Sequence, residues 1–305
     1  MDILKFIYRD NVTIRFGGVC NNVACALGTF GLTPKFVTVR FNGEIGSLVG
    51  DHLKSHNVEW FPIEKYASLA LFSAELDEKG NIHNEEFYDS HSLKLIKSSD
   101  IEQLTHTISE NDLIITCTDL EIDTINYLSR TCQDLDIPLW VLSTSQIEAY
   151  KLAHIIPKPS GIGLNIKELK TIFQHLQDEV DNDLENVITT VSENLLADNG
   201  LCLLTLGNKG AVLIDKTVNK AYFQSVIPIE GYSTLGAGDV LFAGVVSAYL
   251  KNQQSITEDN LKNALMSTLS YIKSYQHGMG NSYLAIKVFS EEIVLPEMKH
   301  IAFNS

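Results

Sequence analysis

"STLGAGDVLFAG", residues 233–244, sets small residues and one carboxylate at the mouth of a long apolar run. The letters AGDVLFAGVVSAYL that begin at Ala237 are apolar almost all round, which predicts a buried helix. The first N–H groups of a helix have no internal partners, and its dipole makes that end electropositive. Gly236 and Gly238 carry no side chains, so backbone donors there can approach an anion closely, and Asp239 follows in the first turn. A carboxylate beside an anion-binding turn suits phosphoryl transfer. The turn stabilises charge on the moving group, and the carboxylate takes a proton from the attacking alcohol. A plain helix start, with an acidic first turn and glycines that allow tight packing, accounts for the same letters. The stretch matches neither Walker A nor the dinucleotide GxGxxG.

Working outward, short apolar runs alternate with helical spacing. LIITC (113–117), LWVLS (139–143), LCLLTL (201–206) and AVLID (211–215) read as buried strands. Residues 122–135, 166–180 and 185–198 space their apolar side chains as helices do. This alternation predicts an α/β fold with a mainly parallel sheet flanked by helices. Residues 3–16 and 68–88 break the rhythm as successive strands, the second pair with a turn at Glu78–Asn81. They predict a small secondary sheet, able to cover a site as a lid or to stand as a plain edge hairpin. No low-complexity tract or Pro-rich linker divides the chain, which reads as a single domain over 1–305.

The 305 residues carry a net charge of −15, which argues against nucleic acid or an anionic membrane as partner, because both need a basic footprint. No apolar run reaches the length of a membrane span, and the first residues lack a signal-peptide core. The five cysteines form no CxxC pair and the nine histidines no HExxH, so reduced thiols in a cytoplasmic protein are expected, without a structural zinc site.

STLGAGDVLFAG resembles the C-terminal signature of the ribokinase-type (PfkB) family of sugar and nucleoside kinases, usually Asp/Asn-Thr-x-Gly-Ala-Gly-Asp. Three more blocks follow that family's order: GGVCNNVACALGTFG (17–31), NIKE (165–168) and TLGNKGA (205–211). The resemblance covers nearly the whole chain. It implies a ribokinase-like fold with a small β lid, and ATP with Mg²⁺ as cofactors. The acceptor would be a nucleoside or small sugar bearing a hydroxymethyl group. Within the family, GGVCNNVA, residues 70–95 and residues 143–168 resemble pseudouridine kinases, which implies pseudouridine as acceptor. A fructose- or ribose-type kinase and a catalytically degenerate nucleoside-binding homologue are the alternatives. An uncovered lid hairpin would also suit a homodimer.

Position by position, the resemblance implies Asp239 as the base and the N–H groups of Gly236, Ala237 and Gly238 as the anion hole. It implies Gly17, Gly18 and Asn22 on the sugar hydroxyls, and Thr205, Gly207, Gly210 and Thr234 along the nucleotide. Asn165 and Glu168 would steer the metal through water. Asn then Glu three later is also a helix capping box, Gly17-Gly18 an ordinary strand-to-helix turn, and Gly207 with Gly210 hairpin glycines. A pseudouridine-selective site needs an acceptor for the extra ring N–H, and Asn21, Asn22, Ser73 and Glu75 offer oxygens. The sequence departs from the family at FNGEIG (41–46), which lacks the usual carboxylates, and at Ser233 and Leu235 in the signature. Asp2 is either the remnant of the sugar-binding Asp that the family carries near its first strand or an ordinary terminal residue.

Overall fold

The computed structural model describes residues 2–8, 11–76, 82–88, 91–109, 112–176, 183–226, 234–252, 255–276 and 295–303. The chain divides into two compact units, one of Met1–Leu95 with Pro228–Leu295, the other of Ile96–Ile227 with Pro296–Ser305.

The first unit begins with β1 (Asp2–Tyr8) and β2 (Asn11–Gly17), antiparallel from Asp2↔Gly17 to Tyr8↔Asn11. Helix α1 (Val19–Thr29) follows, then β3 (Lys35–Phe41), α2 (Gly43–Ser55) and β4 (Glu59–Ala67). Strands β3 and β4 form a parallel pair of their own; KFVTVRF places its β-branched residues on a pleat with Thr38 and Val39 fully buried. Strands β5 (Ala70–Leu76) and β6 (Ile82–Tyr88) join the first hairpin in a four-stranded sheet ordered β2-β1-β5-β6, with β1 and β5 parallel. The expected turn at Glu78–Asn81 lies outside the described residues.

The second unit starts with α3 (Ser98–Leu104) and holds a seven-stranded sheet. Strands β7 (Ile114–Cys117), β8 (Leu139–Leu142), β9 (Gly161–Asn165) and β10 (Leu201–Thr205) are parallel neighbours in that order. Helices α4 (Ile122–Asp134), α5 (Ile166–Ile172) and α6 (Leu184–Leu195) supply the crossovers that parallel strands need. Strands β11 (Ala211–Asp215), β12 (Lys220–Gln224) and β13 (Lys299–Ala302) extend one edge antiparallel. Leu203, Leu204, Val212, Leu213 and Ile214 are almost wholly buried, which explains their unbroken apolar letters.

The spacing at 166–180 predicted one long helix. Instead α5 ends at Ile172, Phe173 leaves the helical region (φ −119°, ψ 86°), and a 3₁₀ turn follows over Gln174–Leu176. Thr171, Ile172 and Phe173 lose side-chain freedom in a helix, so this short run stops it readily.

The first unit closes with α7 (Ala237–Lys251) and α8 (Glu258–Gln276). Eight residues of α7 are buried, as its all-round apolarity requires. It packs against both α1 and α8. A Cβ on Gly244 would stand 2.8 Å from that of Ala264, so the glycine in the signature helix lets α8 come close.

Candidate functional site

In the first unit the site is built on the N-terminus of α7. Gly236 caps the helix in the left-handed region (φ 76°, ψ 0°), where a side chain is strained. A Cβ there would stand 3.0 Å from the Tyr271 hydroxyl and 3.5 Å from Asn22 Nδ2. Val240 N–H closes the first helical turn on Gly236 O at 3.1 Å, and Ala237 N–H turns back to Thr234 O at 3.0 Å. Of the three N–H groups expected in the anion hole, that of Ala237 is thus engaged with the entry turn. Gly238 is exposed, and a Cβ on it would meet nothing within 4 Å, so open space adjoins its backbone.

Helix α1 brings the second element. Gly17 ends β2, Gly18 (φ 97°) turns the chain, and Asn22 N–H bonds Gly18 O at 2.9 Å as the helix begins. One turn in, Asn22 Nδ2 donates to Asp239 Oδ2 at 2.7 Å, a hydrogen bond assisted by the carboxylate charge. Gly236, Asp239 and Asn22 thus meet at the start of α7. The amide of Asn22, expected on a sugar hydroxyl, is engaged with the carboxylate. Tyr271, which donates to Leu235 O at 3.5 Å, completes the wall. Nothing local in its sequence marks Tyr271 out.

In the second unit polar residues gather where the parallel strands end, the edge at which open α/β sheets bind ligands. Thr118 and Asp119 follow β7, Ser143 and Thr144 follow β8, Asn165 ends β9 and Thr205 ends β10. The Thr144 hydroxyl donates to Asp119 Oδ1 at 2.6 Å and lies 3.0 Å from the Thr118 hydroxyl. The sequence reading gave these four residues no role, although Thr118, Asp119 and Thr144 follow strands it found and Ser143 ends one. Lys151 is buried, with its ammonium on Thr118 O (2.7 Å), Leu120 O (2.8 Å) and Glu148 Oε2 (2.6 Å), so it pins the loop after β7.

Asn165 and Glu168 form a complete capping box at the start of α5. Asn165 Oδ1 accepts from Lys167 N (2.9 Å) and Glu168 N (3.0 Å), and Asn165 N–H donates to Glu168 Oε2 (2.8 Å). Two backbone donors already occupy the Asn165 oxygen, so Asn165 fits a cap rather than a metal ligand. Glu168 is buried at 4% exposure, and burial raises its carboxyl pKa; the bond from Asn165 N–H and the adjacent Ser143 hydroxyl oppose that rise. A desolvated carboxylate is a hard oxygen donor that gains from a nearby cation, so Glu168 fits Mg²⁺ held through water.

The β10–β11 hairpin carries Thr205, Gly207 and Gly210. Leu206 N–H bonds Gly210 O at 2.8 Å, and a Cβ on Gly210 (φ 112°) would stand 2.0 Å from Gln224 O. That crowding alone requires glycine at 210. Gly207 (φ 62°) faces open space. Thr234 is exposed and belongs to the entry turn of α7 in the first unit. Among the acceptors named for the ring N–H, Asn21 Oδ1 faces Cys25 Sγ at 3.8 Å, Ser73 is half-buried on β5, and the Glu75 side chain lies outside the described residues.

Residues 7–264 match the pfkB family of carbohydrate kinases. The chain belongs to that family. It is 23% identical over 278 residues to guanosine-inosine kinase of Exiguobacterium acetylicum, covering 88% of this chain and 87% of that one. It is 25% identical over 259 residues to a tagatose-6-phosphate kinase of Staphylococcus epidermidis, covering 81% and 78%. The fold is similar to that of ribokinase from Giardia lamblia, with a TM-score of 0.70 at 13% identity over 96% of each chain. The activity is accordingly of the carbohydrate and nucleoside kinase class, on a ribokinase-like α/β fold. No described helix is long and apolar enough to cross a membrane.

Proposed function

We propose that this pfkB-family protein transfers the γ-phosphoryl group of ATP to the hydroxymethyl group of a nucleoside, with pseudouridine as its preferred acceptor. The observation that carries the reading is the Asn22–Asp239 hydrogen bond at the glycine turn that opens α7. Asp239 takes the proton of the attacking 5′-hydroxyl, and Asn22 holds the carboxylate in place while it does so. The unencumbered backbone at Gly238 and the positive end of α7 meet the charge of the transferred group. Gly17 and Gly18 keep the start of α1 bare of side chains beside the sugar. In the second unit, Thr205 and Gly207 border the nucleotide. Glu168 would hold Mg²⁺ through water, and the ion would supply neutralisation of phosphate charge.

A nucleoside acceptor is supported by the guanosine-inosine kinase relative and by the likeness of residues 17–24, 70–95 and 143–168 to pseudouridine kinases. The tagatose-6-phosphate kinase relative supports a sugar-phosphate acceptor as the second reading. An ATP-consumption assay over pseudouridine, uridine, guanosine, inosine, ribose, fructose and tagatose 6-phosphate separates them. A kcat/KM for pseudouridine at least tenfold above the rest, about 1.4 kcal/mol of discrimination, supports the proposal. A preference for tagatose 6-phosphate or fructose would replace it with the sugar reading, and absence of turnover on every acceptor would point to a degenerate homologue.

A further inference from the structure

A second cluster sits on the same helix as Asn22. Cys25 of α1 meets His52 of α2 and His56, the residue that caps α2, and one ligand atom from each lies within 4.8 Å of the others. It is the one such cluster of three His, Cys, Asp or Glu side chains among the described residues. Cys25 Sγ stands 3.4 Å from His52 Nε2. A tetrahedral zinc ion with Zn–S of about 2.3 Å and Zn–N of about 2.0–2.1 Å spaces its sulfur and nitrogen ligands by about 3.5 Å. We propose that Cys25, His52 and His56 form a zinc site with an open fourth position, stapling α1 to the C-terminal end of α2. The proposal is independent of the acceptor chemistry.

The surroundings are those of a ligand set. His56 Nδ1 lies 2.8 Å from His52 O, which fixes the second ring through a backbone carbonyl, and the Phe16 ring packs 4.9 Å from that of His52. Asn21 is 1% exposed, its amide end faces Cys25 Sγ, and its Nδ2 has no hydrogen-bond partner. A half-turn of that amide presents an N–H to the sulfur, the donor a metal-bound thiolate takes from its second shell. A simple thiol–imidazole contact leaves that amide unexplained.

Without a cation, burial favours the uncharged forms of Cys25 and His52. Burial pushes the Cys25 thiol up to about 12, and burial together with His56 pushes His52 down to about 4, so no thiolate–imidazolium pair forms. A divalent ion supplies the charge that a buried thiolate needs. Binding replaces the S–H bond with Zn–S and releases the thiol proton to water. A sulfur and two imidazoles select zinc over magnesium, which demands oxygen.

The test uses the full chain, stripped with a chelator and titrated with zinc alone against a chromophoric competitor. One equivalent should bind at micromolar zinc or below. Cys25→Ala, His52→Gln and His56→Gln should each weaken binding by about 10²-fold or more, and Asn21→Ala by about tenfold, with His154→Gln unchanged. Cobalt in place of zinc should give a thiolate-to-metal charge-transfer band that Cys25→Ala abolishes. His56 is half-exposed, so His56→Gln serves where Cys25→Ala fails to fold. Failure of the wild type to bind zinc at micromolar concentration, or binding that survives His52→Gln and His56→Gln, overturns the site.

Discussion

Asn22 Nδ2 lies 2.7 Å from Asp239 Oδ2, joining residues 217 positions apart in the chain. The bond links the first turn of α1 to the first turn of α7, two helices capped by glycine. It fixes the direction in which the carboxylate points. Asn22→Ala should therefore lower kcat by about tenfold or more with a smaller change in KM. Asn22→Asp should be worse, because a second carboxylate at that distance repels the first. Steady-state kinetics on both variants decide the point: equal activity in Asn22→Asp and wild type would remove Asn22 from the mechanism.

The two glycines of the signature turn should respond oppositely. Gly236→Ala forces a side chain into the left-handed region beside the Tyr271 hydroxyl and should cost about 1–2 kcal/mol of stability. Gly238→Ala meets no neighbour and lies within the helix, so it should leave stability unchanged or raise it by up to about 1 kcal/mol. Its methyl group nevertheless stands where the phosphoryl group is proposed to sit, and turnover should fall at least tenfold. Denaturant unfolding and kcat measured on the same two preparations check both halves. A fully active Gly238→Ala variant would move the anion site away from this turn.

Glu168→Gln separates cap from metal contact. Glutamine keeps the capping box, so α5 should remain intact. Because burial raises the Glu168 pKa in the folded chain, the folded state holds that proton more tightly than the unfolded state does. Stability of the wild type should then decline as pH rises from the usual carboxylate value through the raised one, and Glu168→Gln should lose that decline. The same variant should need more Mg²⁺ for half-maximal turnover. Unchanged Mg²⁺ dependence would leave Glu168 as a helix cap alone.

Much of this was legible in the sequence, for reasons specific to each element. LIITC, LWVLS, LCLLTL and AVLID are mostly apolar because their strands are largely buried, and each became a strand of the large sheet. The glycine turn was readable because a left-handed cap and an open backbone require glycine at 236 and permit it at 238. Other features had no local signature. Tyr271 reaches Leu235 only through the packing of α8 on α7, and Asn22 finds Asp239 only once α1 has docked on α7. His52 and His56 stand four apart, but Cys25 comes from another helix, so the Cys25–His52–His56 cluster has no signature within one stretch of sequence. Asn165 and Glu168 carry letters that serve both a cap and a metal, and the hydrogen bonds of α5 place both in the capping box.

The central claim is that Asp239 is the base of phosphoryl transfer, and Asp239→Asn tests it most directly. The substitution keeps size and removes the proton acceptor. With saturating ATP, Mg²⁺ and the best acceptor of the panel, kcat should fall by about 10²–10⁴-fold while the unfolding midpoint stays close to wild type. A folded Asp239→Asn variant that retains more than about half of wild-type kcat would contradict the account.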